Sequence, residues 1–303
     1  MSAHDPFQLY RPGVRAAFDR AGATYDAAAV LQARVGEELL ERLAPFDFDP
    51  AVILDLGAGT GRLSGRLKRR YRRCRVIALD LAPGMLREAA RHQGWLRRFE
   101  RVCADAARLP LSSECADVVF SNLMLQWCDP PDSVMAEVRR VLKPRGFFAF
   151  STFGPDTLKE LRNAWGEVDA STHVNRFLDM HDVGDALVRA GFTEPVLDVE
   201  RLTVTYADVL SLMRDLKLIG ARNMTAGRWR ALTGKGRLRR MTERYEAYRR
   251  DGRLPATYEV IYGAAWASRD GGERPSRASG AANDTSPTEV HIPPERIRRR
   301  ERT

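Results

Sequence analysis

The chain has few cysteines and no long apolar run, and both shortages narrow the kind of protein it is. No uncharged stretch approaches the roughly 20 residues that a membrane helix needs, and the amino terminus MSAHDPFQLYRPGVR lacks the apolar core of a signal peptide. The four cysteines, Cys74, Cys103, Cys115 and Cys128, form no C-x-x-C pair, so neither a zinc site nor a disulfide framework is indicated. We therefore expect a cytoplasmic protein with free thiols and no metal.

Acidic side chains are the scarcer charged class. The 303 residues include 49 Lys and Arg against 40 Asp and Glu, a formal net charge of +9. A basic surplus suits an acidic partner, but it is also compatible with plain solubility. The basic residues lack the interleaved aromatic positions of a single-strand binder, so nucleic acid is disfavoured. No membrane partner is expected, and the chain is expected to be a monomer.

The order of apolar patterns predicts an α/β fold. Apolar positions at helical spacing over 14–43 indicate one or two helices ahead of the first strand. From residue 51, short apolar runs alternate with helical stretches such as 62–70, 83–92 and 131–142. This alternation predicts an open, doubly wound sheet with parallel strands and right-handed crossovers. The predicted strands are 51–56, 75–79, 99–103, 117–121 and 146–151.

The regular alternation of predicted strands and helices ends after residue 151. Helices are predicted at 155–168 and 180–190, strands at 195–205 and 256–267, and a long helical segment over 206–250 between those strands. Residues 269–303 are poor in large apolar side chains and predict a disordered tail. The predicted organisation is a helical amino-terminal part (1–50), a main domain (51–267) with an insertion at about 206–254, and a tail (268–303).

A glycine-rich turn, DLGAGTG at 55–61, follows the first predicted strand. Glycines let a backbone approach a ligand closely. Arg62 stands where a dinucleotide fingerprint needs glycine or alanine, and the G-K-[ST] ending of a P-loop is absent. The form D-x-G-x-G-x-G instead resembles motif I of class I S-adenosylmethionine-dependent methyltransferases, whose glycines make room for the methionyl part of the cofactor.

Later acidic residues fit the same resemblance. Asp80 ends the second predicted strand, 19 residues after Gly61, where a carboxylate can accept both ribose hydroxyls. Asp105 ends the third strand, and the resemblance implies that it accepts from the adenine amine. Any one of these aspartates alone could instead cap a helix or a turn. The implied cofactor-binding residues are Asp55, Gly57, Gly59, Gly61, Asp80, Leu81, Asp105, Ala106 and Asn122.

Longer stretches narrow the family. The chain over about residues 12–267 resembles the malonyl-acyl-carrier-protein O-methyltransferases of biotin synthesis (BioC). The resemblance implies a seven-stranded class I methyltransferase sheet with a helical amino-terminal lid and a helical cap. It implies methylation of the free carboxylate of malonyl-acyl carrier protein or malonyl-CoA. The stretches that carry it are VRAAFDRAGATYDAAAVLQ (14–32), FGPDTLKELRNAW (153–165), HVNRFLDMHDVGDALVRAGF (173–192), LMRDLKLIGARN (212–223) and LPATYEVIYGAAW (254–266).

Such a reaction needs little acid–base help, because a carboxylate with a pKa of about 4 is already ionised at neutral pH. Positioning and exclusion of water should suffice. Arg176, with His173 second, is the candidate to hold the malonyl carboxylate; the alternative is a surface arginine or one paired with Asp179. Tyr25 could border the transferring methyl group and Gln32 could help to close the site, unless Tyr25 only packs between helices.

Two basic clusters stand out. Residues 66–75 contain seven basic side chains and should lie at the amino edge of the sheet, away from the cofactor. Residues 222–253 contain eleven basic and three acidic residues, and a parallel sixth strand would start this insertion beside the site. A basic cap there would suit an acidic acyl carrier protein, although a solvated charged helix is the ordinary explanation. The docking candidates are Arg228, Arg237, Arg239 and Arg240.

Rival functions remain open at this point. The same stretches resemble a mitochondrial complex I assembly factor that hydroxylates a protein arginine, and fold does not settle function. Methylation of a small acid or a quinone is a second alternative. A noncatalytic assembly protein that retains the cofactor pocket is a third.

Overall fold

The computed structural model describes residues 9–46, 49–95, 97–225 and 234–267. The predicted disordered tail and the docking candidate Arg228 lie outside these residues. The helices are α1 (Arg11–Ala28), α2 (Val30–Glu41), α3 (Arg62–Arg70), α4 (Pro83–Glu88), α5 (Pro131–Val141), α6 (Lys159–Gly166), α7 (Met180–Arg189), α8 (Val209–Leu218) and α9 (Lys235–Glu246). The strands are β1 (Val52–Leu56), β2 (Arg75–Asp80), β3 (Glu100–Cys103), β4 (Ala116–Asn122), β5 (Leu142–Phe153), β6 (Thr193–Tyr206) and β7 (Leu254–Ala267).

The seven strands form one sheet in the order β3-β2-β1-β4-β5-β7-β6. Strands β1 to β5 pair in parallel, as the sequence predicts. Strand β7 is antiparallel to both of its neighbours, so β6 runs in the same direction as β5. The insertion connects the end of β6 to the start of β7 without crossing the sheet. Both of these strand ends therefore lie at the same edge, and β7 runs antiparallel to β6. The chain reverses its strand order between β1 and β4, which is where open α/β sheets bind ligands.

Helices cover both faces of the sheet. The strand VILDL (β1) is apolar on both sides, and Ile53, Leu54 and Leu56 are fully buried, as a central parallel strand requires. One face packs against α2 and α6, and the opposite face packs against α5 and α7. This arrangement confirms the predicted doubly wound fold.

The first two helices have different surroundings. Val35 and Leu39 of α2 are buried in the main core beside Phe147 of β5. Helix α1 lies outside the two large clusters and packs against α4 and α8. Helix α1 therefore lies over the carboxyl edge of the sheet, and α2 reaches that edge with Gln32 and Ala33 near its start.

The insertion is less helical than its sequence predicts. Helices α8 and α9 are separate, and residues 219–225 between them are irregular. Gly220 has φ +77°, a conformation that favours glycine and ends the helical run after α8. The predicted helix 155–168 is likewise shorter, because α6 begins only after Leu158, whose φ is +55°.

Candidate active site

The glycine turn between β1 and α3 is tied to the end of β2. The backbone N–H groups of Gly57 and Ala58 donate to the carbonyl oxygen of Leu79 at 2.8 and 3.0 Å. Gly59 has φ +55°, and a Cβ built there would meet no protein atom within 4 Å. Its open side faces the large cleft at the carboxyl edge, so a ligand can approach the backbone at this point.

The third glycine of the turn has another role. Gly61 was predicted to bind the cofactor, but it lines neither part of the cleft. A Cβ at Gly61 would lie 2.8 Å from the side chain of Ala89 and 2.9 Å from that of Phe99. The prediction is therefore corrected: Gly61, with φ +71°, lets α3 begin close to neighbouring elements.

Asp80 presents an oriented carboxylate to the cleft. Its Oδ2 accepts the backbone N–H of Gly59 at 2.8 Å, and its Oδ1 accepts that of Ala82 at 2.8 Å. Burial raises the pKa of Asp80 above its ordinary value, although these N–H groups act in the opposite direction. Each oxygen keeps a lone pair, so the pair can accept two hydroxyls of a ribose.

Asp55 lies deeper, beneath the glycine turn. Its side chain is buried, and Ser64 Oγ donates to Asp55 Oδ2 at 2.5 Å. Burial, more than this hydrogen bond or the charge of Asp80, sets its acidity and raises the pKa of Asp55 to about 7. A cationic group bound nearby would favour the ionised form.

The cleft has two adjoining parts that share Tyr25, Gly57, Gly59 and Asn122. The larger part encloses about 850 Å³ and the smaller about 490 Å³. Asp55 and Gln32 line the smaller part. The larger part is bordered by the remaining predicted cofactor residues, Asp80, Leu81, Asp105 and Ala106, and by the α1 side chains Arg11, Val14, Arg15 and Phe18. Eight of the nine predicted cofactor residues thus meet in one place.

Helix α1 is fastened over the cleft. Asp26 accepts from Thr60 Oγ1 at 2.5 Å, and its other oxygen lies 2.8 Å from His92 Nε2. Tyr25 is half-buried at the cleft, and its partial burial, followed by the charge of Asp80, raises its pKa well above the ordinary value. Below, Asn122 Nδ2 donates to the carbonyl oxygen of Gln32 at 3.0 Å.

Arg11 is a cleft residue that sequence reasoning missed. Its Nη1 lies 3.2 Å from Asp105 Oδ2, and its Nη2 donates to the carbonyl oxygen of Asp129 at 3.0 Å. Residues 11 and 105 are 94 positions apart, and no motif spacing connects them. The arginines of the segment RPGVR carried no signal beyond their charge.

The predicted substrate residues lie elsewhere. Arg176 and His173 line a second cavity, of about 1170 Å³, which shares no lining residue with the cofactor cleft. The His173 ring stacks on Trp165 at 3.8 Å between centroids, and its Nε2 lies 2.9 Å from Asp169 Oδ1. Neither residue lines the cleft where the sequence placed it. His173 instead has a packing role, with its side chain only 12% exposed.

Helix α9 contacts Asp169, one of the residues that line this second cavity. Arg237 Nη1 lies 3.7 Å from Asp169 Oδ2, the one buried side-chain oxygen without a hydrogen-bond donor among the described residues. Arg239 is 79% exposed and lies 3.5 Å from Glu243, and Arg240 is exposed as well. The cluster 66–75 lies at the end of α3 and the start of β2, on the opposite, amino edge.

The comparisons with known proteins give the family of this chain. The family model described as "Methyltransferase domain" matches residues 54–150. A malonyl-[acyl-carrier protein] O-methyltransferase of Methylovorus sp. (strain MP688) is 53% identical over 268 residues, covering 86% of this chain and 90% of the relative. Its counterpart in Halorhodospira halophila is 48% identical over the full length of both chains.

The chain belongs to the malonyl-[acyl-carrier protein] O-methyltransferase family. It is an O-methyltransferase, and its cofactor is S-adenosyl-L-methionine. The crystal structure of protein BH2331 from Bacillus halodurans C-125 has the same fold, with TM-score 0.56 and 20% identity over 77% of this chain and 99% of that chain.

The cleft of this family member fits the cofactor by its own geometry. Gly59 leaves space that a Cβ would fill, Asp80 offers two acceptors to a ribose, and Asp105 offers an acceptor to an amine. Within the part of the chain that the structure describes, no group of three or more His, Cys, Asp or Glu is placed to hold a metal ion. No helix in that part is long and apolar enough to cross a membrane.

Proposed function

We propose that this methyltransferase esterifies the free carboxylate of malonyl-acyl carrier protein, or of malonyl-CoA, as an early step of biotin synthesis. The observation that carries the proposal is that about half of the aligned residues are identical to those of relatives named for this reaction. The identity extends over at least 84% of the chain in the first six relatives, far beyond the domain at 54–150. It therefore includes elements that methyltransferases in general do not need, such as the insertion.

The chemistry asks the protein for positioning more than for proton transfer. The bound cofactor supplies a methyl group on a sulfonium, and the carboxylate, ionised at neutral pH with a pKa of about 4, supplies the nucleophilic oxygen. Gly59, Asp80 and Asp105 would hold the cofactor so that its methyl group could pass from sulfur to the carboxylate oxygen, and no side chain would have to accept or donate a proton. Tyr25, whose raised pKa keeps its hydroxyl protonated, is not a base in this scheme; it borders the reacting atoms and keeps water out.

The acyl group must reach the cleft from the surface. The second cavity is a suitable path, because a single residue lies between the two spaces at one point. Met224 packs against Val14, which lines the cofactor cleft, while its N–H donates to Asn175 Oδ1 at 3.0 Å, and Asn175 lines the second cavity. In this proposal Arg176 and His173 border the acyl arm and do not hold the carboxylate at the methyl group.

The carrier protein would dock on α9. Acyl carrier proteins are acidic, and the exposed guanidinium groups of Arg239 and Arg240 offer the complementary charge. Helix α9 packs against α6, which lines the second cavity through Arg162 and Trp165. A carrier on α9 would therefore present its acyl arm to that cavity.

A mass-spectrometric assay tests the proposal. The purified protein is incubated with S-adenosyl-L-methionine and malonyl-acyl carrier protein, and we expect one added methyl group on the malonyl carboxylate. Acetyl-acyl carrier protein, which lacks a free carboxylate, should remain unmodified, and Asp80→Ala should abolish transfer. Tight binding of S-adenosylhomocysteine without transfer to any malonyl thioester would contradict the proposal and favour hydroxylation or an assembly role.

A further inference from the structure

The Arg11 side chain helps to hold the amino-terminal end of α1 against the cofactor cleft. Arg11 Nη1 lies 3.2 Å from Asp105 Oδ2 while Arg11 Nη2 donates to the carbonyl oxygen of Asp129 at 3.0 Å. The backbone N–H of Leu9 donates to Asp129 Oδ2 at 3.0 Å, so the start of the helix makes two hydrogen bonds to Asp129 and one to Asp105. The planar fork of an arginine can make both of its contacts at once.

The same contact orients Asp105. Its Oδ1 accepts the backbone N–H of Ala107 at 2.9 Å, and its Oδ2 accepts from Arg11. With one donor on each oxygen, the carboxylate has a fixed plane and keeps its remaining lone pairs directed into the cleft that both side chains line. A carboxylate held in this way can accept from an exocyclic amine and repels a carbonyl oxygen at the same place.

The pair is also half exposed, with 38% of the Arg11 side chain and 43% of the Asp105 side chain accessible. An ion pair with this exposure contributes little to folding stability. Its contribution should therefore be seen in ligand recognition, where it determines the direction of an acceptor and the position of the helix above it.

We propose that Arg11 is a positioning residue for the adenine end of the cofactor: it holds α1 over the cleft and fixes Asp105 so that the site prefers a 6-amino purine. The proposal concerns the cofactor alone and does not depend on which carboxylate is methylated. Arg11 acts through Asp105 and is not a catalytic residue.

The test compares the dissociation constants of S-adenosylhomocysteine and S-inosylhomocysteine, which differ at the 6-position of the purine. Calorimetric titrations use the wild type, Arg11→Gln, Arg11→Lys and the control Arg20→Gln. Arg20 is an exposed arginine of the same helix that does not line the cleft. We expect Arg11→Gln to raise the dissociation constant of S-adenosylhomocysteine by about threefold to tenfold and that of the inosyl analogue much less, so that the preference for adenine falls.

Arg11→Lys keeps the charge but not the fork, so it should recover only part of the preference. Arg20→Gln should leave both dissociation constants within about twofold of the wild type. An unchanged ratio of the two constants in Arg11→Gln would overturn the proposal, even if both ligands bind more weakly, since an equal loss reports only on the stability of α1. Thermal denaturation of each variant shows that it is folded.

Discussion

The backbone N–H of Gly59 donates to Asp80 Oδ2 at 2.8 Å and thereby connects the glycine turn after β1 with the acidic end of β2. The two residues are the parts of the sequence pattern that first indicate a nucleoside ligand. Their hydrogen bond shows that they form one unit, in which the turn directs the carboxylate that would accept the ribose. An acceptor that is already oriented loses little freedom when the ligand binds.

Gly59→Ala should impair cofactor binding in a protein that still folds. The added methyl group would meet no protein atom within 4 Å, but it would occupy the space that the cleft leaves for the ligand. The left-handed backbone at φ +55° adds a cost of about 1 kcal/mol. We expect the dissociation constant of S-adenosylhomocysteine, measured by calorimetry, to rise by about tenfold or more. Unaltered binding would show that the cofactor does not approach this backbone.

Gly61→Ala should instead lower the stability of the fold, and it serves as the matched variant for Gly59→Ala. Here the methyl group would lie 2.8 Å from Ala89 and 2.9 Å from Phe99, so neighbouring elements must move. Overpacking of this kind costs about 1–3 kcal/mol, which corresponds to a fall in Tm of roughly 5 °C. Calorimetric melting of the ligand-free protein measures this shift. An unchanged Tm together with a loss of affinity for S-adenosylhomocysteine would instead show that Gly61 contacts the cofactor.

Binding of S-adenosyl-L-methionine should depend on pH near neutrality through Asp55. Burial raises the pKa of Asp55 to about 7 in the free protein, so the carboxyl is largely protonated at pH 6 and largely ionised at pH 8. The cofactor is cationic and favours the ionised form, so affinity should fall as pH falls from 8 to 6, with release of a proton on binding. Titrations in buffers of different ionisation enthalpy measure that release. The dependence should flatten in Asp55→Asn, and its persistence in that variant would assign it to another group.

The sequence predicted the sheet well because local patterns specify it. The buried runs of β1 and β2 and the turn at Gly57 and Gly59 are continuous segments, and their residue types are sufficient to recognise them. The antiparallel direction of β7 was not predicted, because it depends on where the insertion begins and ends. The pairing of Arg11 with Asp105 joins distant segments through side chains alone, and no periodicity reports it.

The misplaced residues have a similar physical reason. Arg176 was assigned to the cofactor cleft because its segment follows β5 at the correct edge, yet the sheet is wide enough there for two separate cavities. Gly61 shares the spacing of the two glycines that face the cleft, but the turn directs its open side toward Ala89 and Phe99. Spacing along a motif therefore identifies the turn without identifying which of its members touch a ligand.

Tyr25→Phe should retain most of the methyl-transfer activity. Burial and the charge of Asp80 keep the hydroxyl protonated, so its loss removes no base. We expect kcat within about threefold of the wild type, because the ring still covers the cleft. Tyr25→Ala opens that cover and should lower kcat by roughly tenfold or more as water enters. A loss of that size already in Tyr25→Phe would contradict the packing role and indicate a hydrogen bond from the hydroxyl to a reacting group.

Reversal of charge on α9 should selectively weaken the binding of malonyl-acyl carrier protein. In Arg239→Glu combined with Arg240→Glu, an acidic carrier meets repulsion, and we expect KM for malonyl-acyl carrier protein to rise by about tenfold. Malonyl-CoA, which lacks the protein, should keep its KM, and added salt should reduce the difference between variant and wild type. Folding should not suffer, because the contact of Arg239 with Glu243 is strongly exposed.

The control for this variant makes the same charge change at the opposite edge, in Arg72→Glu combined with Arg73→Glu. Both residues are exposed in the turn between α3 and β2, and among the described residues neither lies within ion-pair distance of a carboxylate. If docking uses α9, the control keeps the wild-type KM for malonyl-acyl carrier protein, because the local field at the cavity mouth and not the net charge orients the carrier. Equal effects of the two double variants on KM would show that α9 contributes only long-range attraction and is not the docking surface. An effect of the control alone would place the carrier at the amino edge, on the opposite side from the cleft.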